Sequence, residues 1–209
     1  MIKIISILIF AYLLGAIPFS LWLGKLFYKI DVRKSGSMSS GATNVLRVIG
    51  PKLAFPILIL DILKGFAATR LVLFFFEESD PQFIYLKLIA GILAMIGHIY
   101  PVFAEFKGGK GIATMTGVLI GTVPHVVLFA FPIFVVVISL TRYVSLGSLL
   151  AALSIPFILY FSSKIPDYKI LTVFAFVVFL IALFTHRGNV KRLLKGNENK
   201  LSFRKKKQN

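Results

Sequence analysis

Thirty consecutive residues, 112–141, contain no Asp, Glu, Lys or Arg, and nothing else in this sequence limits its possible folds as strongly. Two more runs, 4–24 and 143–163, are equally free of charge, and each exceeds the ~18 apolar residues that cross a bilayer core. Backbone N–H and C=O groups in that core have no water to bond, so such runs must be helical. With 57% of residues hydrophobic, the chain reads as an all-α integral membrane protein, and soluble folds are excluded. No small-residue cleavage site follows the first run, which therefore reads as a retained helix and not a leader.

Charge between the runs sets the threading. Segment 25–52 carries Lys25, Lys29, Arg33, Lys34, Arg47 and Lys52 against Asp31, whereas 76–82 ("FEESDPQ") is purely acidic. By the positive-inside rule the first lies in the cytoplasm and the second outside, which puts the N-terminus outside. Helices are expected at about 4–25, 52–76 and 83–104. The run 112–141 gives about 45 Å of helix, too long for one crossing and too short for two full ones. The basic tail from His186 onward, with nine Lys or Arg and one Glu, ends in the cytoplasm only if that run crosses twice, breaking near "TVPH" (122–125). Two further helices, about 144–163 and 168–186, make seven transmembrane helices with the C-terminus cytoplasmic. Residues 1–209 read as one domain, with 187–209 as a basic tail. The net charge of +16 is then explained by topology and anionic lipid, and no nucleic-acid partner is called for.

Four polar segments fall on the cytoplasmic side of this topology. The first, "KSGSMSSGATNVLR" (34–47), has small residues leading into a helix start, with Ser37, Thr43 and Asn44 as donors and Arg47 as a charge. It reads as an anion site or as a plain flexible loop. In the second, "EFKGGKGIATMTG" (105–117), Gly108, Gly109 and Gly111 lie among Lys107 and Lys110 and precede Thr114 and Thr116. Ala104 stands where a Walker loop has its first glycine, so this is no P-loop. Glycines, lysines and a helix start together still describe a phosphate or carboxylate site, since two lysines alone would anchor a loop. The third, "TRYVSLGS" (141–148), offers Arg142, Ser145 and Ser148, which also read as headgroup anchor and packing or capping residues. In the fourth, "THRGNVKRLLKGNENK" (185–200), His186 and Asn189 share a helix face three residues apart, in a segment that also reads as an amphipathic helix on anionic lipid.

Asp61 and Lys64 are i, i+3 partners inside the second helix and read as a structural ion pair. His98 and His125 receive no metal role, the carboxylates are too scattered for a metal site, and no cofactor is implied. Cysteine is absent, which removes thiolate chemistry.

Together the segments "GSMSSGATNVLR", "DILKG", "GHIYPVFAEFKGGKGIAT" and "HRGNVKRLLKGNENK", in this order from residue 36 to 200, resemble the PlsY family: bacterial integral-membrane glycerol-3-phosphate acyltransferases that use acyl phosphate. The family's first loop usually reads Gly-Ser-Gly-Asn-x-Gly, whereas here Met38, Ser39 and Ser40 follow Gly36 and Ser37, with Met38 and Ser39 in place of the Gly and Asn. The resemblance implies a seven-helix bundle in the bacterial cytoplasmic (inner) membrane with its site at the cytoplasmic face. It also implies acyl transfer from acyl phosphate to the 1-hydroxyl of sn-glycerol 3-phosphate, giving lysophosphatidic acid and phosphate. On that basis loop 107–111, with Lys107 and Lys110, holds acyl phosphate, while Arg47, Asn44, Thr43 and Ser37 with His186 and Asn189 hold glycerol 3-phosphate. Arg142 is expected to help neutralise the phosphates. The donor is a mixed anhydride, so no enzyme nucleophile is needed, and either His186 or a phosphate oxygen takes the proton. A transporter of an anionic phosphorylated metabolite is the alternative, but it predicts midplane binding groups and an inverted repeat, and the sequence shows neither.

Overall fold

The computed structural model of the chain describes residues 1–162 and 164–201; the last residues of the basic tail, 202–209, lie outside them. Regular structure among the described residues is helical throughout, and it divides into two compact units, the first covering 1–122 and the second beginning at Val123.

The first unit holds α1 (Ile2–Ala16), α2 (Phe19–Tyr28), α3 (Ala42–Val48), α4 (Pro51–Arg70), α5 (Phe83–Ile99) and α6 (Ile112–Thr122). The expected first helix is in fact two, because Pro18 holds Ile17 in an extended conformation (φ −62°, ψ 114°) and the helix restarts at Phe19. α4 packs on α5 and α6, and α1 on α5. Lipid tails are as apolar as leucine, so these contacts depend on close approach more than on removal from water. The α4–α6 pair shows it: a Cβ on Gly65 would overlap the Thr114 carbonyl, and one on Gly117 would overlap that of Ile62. A cluster of Val32, Val45, Leu53, Ala54 and Ile57 packs the segment after α2 onto α3 and the start of α4. This anchors the first polar loop at both ends.

The second unit holds α7 (Pro124–Thr141), α8 (Val144–Tyr160), α9 (Tyr168–Thr185) and α10 (Arg187–Leu194), with α8 packed against both α7 and α9. The long uncharged run is therefore two helices, α6 and α7. The break falls at Val123, inside the expected window, with Pro124 at the first position of the new helix. Among the described residues, four helical stretches are long and apolar enough to cross a membrane: 2–28, 83–104, α7 and α9. The helices α6 and α8 are apolar but shorter.

Candidate functional site

Asn44 organises the first polar loop. Its Oδ1 accepts the Ser37 N–H at 2.7 Å, while Nδ2 faces the carbonyls of Val32 (2.8 Å), Ser35 (3.1 Å) and Ser39 (2.9 Å). The side chain is buried at 1% exposure. The amide that sequence reasoning offered as an anion donor is thus turned inward to four backbone groups. It shapes the loop that carries Ser37 and leads into α3, the helix that carries Thr43 and Arg47. Two left-handed residues fold the loop back: Gly36 (φ 65°) and Met38 (φ 57°). At Met38 this conformation costs ~1–2 kcal/mol, which glycine, the usual residue in the resembling family, would not incur.

The glycine-rich loop is docked on the end of α5. The N–H groups of Lys107, Gly108 and Gly109 donate to the carbonyls of Ala104, Ile99 and His98 at 3.0, 3.1 and 3.1 Å. Two of the glycines are required by proximity: a Cβ on Gly108 would overlap the His98 carbonyl, and one on Gly109 would overlap the imidazole of His98. Gly111 takes a left-handed φ of 82° as the chain enters α6. The sequence reads these glycines as part of a phosphate or carboxylate site, but the N–H groups of Gly108 and Gly109 hold the loop in place. Its charge is carried by Lys107, whose side chain is 73% exposed beside Glu105 at 3.5 Å, and by half-buried Lys110. An exposed pair of that kind is weak, ~0–1 kcal/mol, so Lys107 can exchange Glu105 for a stronger anion. Thr114, one turn into α6, is fully buried, and its hydroxyl has no hydrogen-bond partner among the described residues.

The two loops are tied together. Ser40 N–H donates to the Gly108 carbonyl at 3.4 Å, and Arg33 Nη1 donates to the Ala104 carbonyl at 3.0 Å. Arg33 is held in turn by Asp31, through Nη2 to Oδ2 at 2.8 Å and Nε to Oδ1 at 3.0 Å. Hydrogen bonding from Arg33, outweighing burial, holds the Asp31 carboxyl down at about 2. The first unit thus places the loop that leads into α3 beside the Lys107–Gly111 loop.

In the second unit the expected residues converge on one that sequence reasoning passed over. Glu198 is buried, and it accepts from Asn189 Nδ2 (2.6 Å), Ser145 Oγ (3.0 Å) and Arg192 Nε (2.7 Å). Burial pushes its carboxyl up, but the hydrogen bonds from Asn189, Arg192 and Ser145 prevail and hold it below the usual glutamate range. Leu201 N–H closes the same segment onto the Arg142 carbonyl at 2.7 Å, at the left-handed residue between α7 and α8. Arg142, Ser145 and Asn189 are thereby gathered, and buried Ser148 lies one turn along α8 from Ser145. A sequence signal for Glu198 did exist: it is the one acidic residue in the basic tail. His186 sits at the junction of α9 and α10, where its Nδ1 lies 2.8 Å from the Ala182 carbonyl. A carbonyl can only accept, so Nδ1 carries a hydrogen, and in the neutral form of the ring the lone pair is on Nε2. No cluster of His, Asp or Glu suited to a metal occurs among the described residues.

Known proteins match this chain over nearly its whole length. The family model described as glycerol-3-phosphate acyltransferase matches residues 5–196. The glycerol-3-phosphate acyltransferase of Chlorobaculum tepidum is 40% identical, covering 99% of this chain and 100% of its own length. That of Chlorobium phaeobacteroides is 38% identical, over 97% and 98%. Among solved structures, the glycerol 3-phosphate form of PlsY (YgiH), an integral membrane glycerol 3-phosphate acyltransferase, superimposes with a TM-score of 0.84 at 37% identity, covering 95% of this chain and 96% of its own. The lysophosphatidic acid form of PlsY gives 0.81 at 35% identity, over 96% of each chain.

Proposed function

This chain belongs to the glycerol-3-phosphate acyltransferase family, and from that premise we propose that it moves a fatty acyl group from acyl phosphate to the 1-hydroxyl of sn-glycerol 3-phosphate. The products are lysophosphatidic acid and inorganic phosphate. The observation that carries the reading is the Ser40 to Gly108 tie, which sets two cation-bearing loops side by side. Both proposed substrates carry phosphate, and paired loops with Arg47, Lys107 and Lys110 answer that charge.

Each unit has its own part. In the first, Lys107 and Lys110 on the 107–111 loop neutralise the acyl phosphate, with Thr114 below them. Ser37 on the loop that Asn44 shapes, with Thr43 and Arg47 on α3, engages the acceptor's phosphate. In the second, His186 and Asn189 act on the acceptor, and Arg142, Ser145 and Ser148 supply further polar contacts. The acceptor oxygen attacks the acyl carbon, the carbonyl becomes an oxyanion, and its collapse breaks the bond to phosphate. The hydroxyl proton passes to His186 Nε2 or to an oxygen of the departing phosphate. No cofactor is needed, because the donor is already activated.

The charge distribution supports a multi-pass placement in the bacterial inner membrane with both loops at the cytoplasmic face: segment 25–52 is basic, and 76–82 acidic. Seven crossings, an outside N-terminus, a single domain over 1–209 and a basic cytoplasmic tail at 187–209 complete this reading.

The test is purified protein in detergent, given acyl phosphate with and without glycerol 3-phosphate. Acceptor-dependent phosphate release together with lysophosphatidate is expected. Its absence, alongside uptake of phosphorylated metabolite into proteoliposomes, would establish the transporter instead. His186→Ala then locates the proton: loss of kcat by 100-fold or more assigns the base to the imidazole, and near-normal kcat assigns it to phosphate.

A further inference from the structure

His98 is buried in α5 and has no part in the chemistry above. Its ring lies between two structures. On one side is Gly109, where an added Cβ would meet Nε2, Cδ2 and Cε1 of the imidazole, the last two at 3.1 and 3.2 Å. On the other is a buried ion pair: Lys64 Nζ is 2.9 Å from Asp61 Oδ1 while donating to the Ile17 carbonyl at 3.0 Å, and His98 Nδ1 lies 3.6 Å from the same Asp61 oxygen, beyond hydrogen-bond reach. That carbonyl belongs to the break between α1 and α2. His98, Asp61 and Lys64 share the wall of a cavity of only ~10 Å³ with Ser20 and Ser40, about the least that one water needs. The space beside the ring is therefore no more than about one water in size. A methyl added at Gly109 presses the ring and the loop apart.

We infer that His98, packed beside the Asp61–Lys64 pair, is a positioning residue that sets where the 107–111 backbone lies, and so where Lys107 and Lys110 present their charges. The second half of this inference rests on the acyl-transfer reading; the first half does not. Gly108 provides an internal control. A Cβ there would meet the carbonyls of His98 and Ile99, which no side-chain truncation can move. Removing the imidazole should thus make room for a methyl at 109 and not at 108.

The experiment is a pair of double-mutant cycles in detergent, His98→Ala with Gly109→Ala and His98→Ala with Gly108→Ala. It is read by kcat and KM for acyl phosphate and by hydrogen exchange of a peptide spanning 105–112, with no substrate added. Gly109→Ala is expected to lower kcat/KM at least tenfold and to speed exchange of the loop amides at least fivefold. Adding His98→Ala should recover at least fivefold of that kcat/KM and slow the exchange again, while Gly108→Ala gains nothing from it. Additive losses in both cycles, or equal rescue at 108 and 109, overturn the inference. If His98→Ala does not yield folded protein, the exchange of Gly109→Ala alone decides, and an unchanged rate overturns it. If the wild type transfers no acyl group, the exchange cycles still report on His98, and only the acyl-transfer reading fails.

Discussion

Asn189 donates to Glu198 at 2.6 Å, and the same carboxylate oxygen takes the hydroxyl of Ser145. One buried carboxylate therefore fixes two side chains proposed to meet substrate, one from α10 and one from α8. Glu198→Ala should cost ~2–3 kcal/mol, because buried donors lose their acceptor. Glu198→Gln should cost less, since one amide oxygen can still serve Asn189 and Ser145. Thermal unfolding in detergent should rank wild type above Gln above Ala. The glutamate's lowered pKa means that its contribution is complete above the unfolded value of 4.5 and fades as pH falls through the folded one. The gap between wild type and Glu198→Ala should accordingly be constant from pH 6 to 8 and narrow below about pH 4.

Met38 occupies a left-handed conformation (φ 57°) and is 71% exposed. It pays a backbone cost without burying much in return. Met38→Gly should stabilise the protein by up to ~1 kcal/mol, the relief of strain being partly offset by the greater freedom of glycine in the unfolded chain. Met38→Val should destabilise it, since a β-branched residue tolerates this region worst. Midpoints of thermal unfolding in detergent check both.

These residues also show what the sequence made legible. Uncharged runs located most helices, although α1 and α2 read as one, and the length of run 112–141 with the tail's charge called for a break near 122–125, where Val123 interrupts the helix, because length and charge are local properties. Polar segments between runs were equally visible. Direction was not: Asn44 looked like a donor for substrate, and its amide faces the loop's own carbonyls. The same is true of Gly108 and Gly109, whose N–H groups dock the loop on α5. Residue type shows what a group can bond, whereas long-range packing decides which partner it meets. Glu198 was visible as a lone acid among bases, but its partners lie up to 53 residues away, beyond any local pattern.

The Asp31–Arg33 pair gives a pH signature. Asp31 is held at about 2 against an ordinary 3.8, so its contribution is present above about pH 4 and is lost as pH falls toward 2. The shift corresponds to ~2 kcal/mol at most. Arg33→Gln removes that stabilisation and also the donor to the Ala104 carbonyl. The stability difference between wild type and Arg33→Gln should be flat above pH 5 and shrink steadily from pH 4 to pH 2. A difference that grew on acidification would show that Asp31 is not the group responsible.

Asn44 separates loop shaping from substrate contact. Asn44→Asp is isosteric but turns an oxygen toward the carbonyls of Val32, Ser35 and Ser39, where Nδ2 now donates. Repulsion among buried acceptors should make it no better than Asn44→Ala, each costing ~2–4 kcal/mol locally. Because the fault lies in the free loop, it should be visible without substrate, as faster hydrogen exchange and protease cleavage across 33–43. Acyl transfer should fall at least tenfold in kcat/KM for both variants. Variants that lost activity while the substrate-free loop kept wild-type protection would mean that the amide acts on the acceptor itself, and the shaping role would then pass to the turn at Gly36 and Met38.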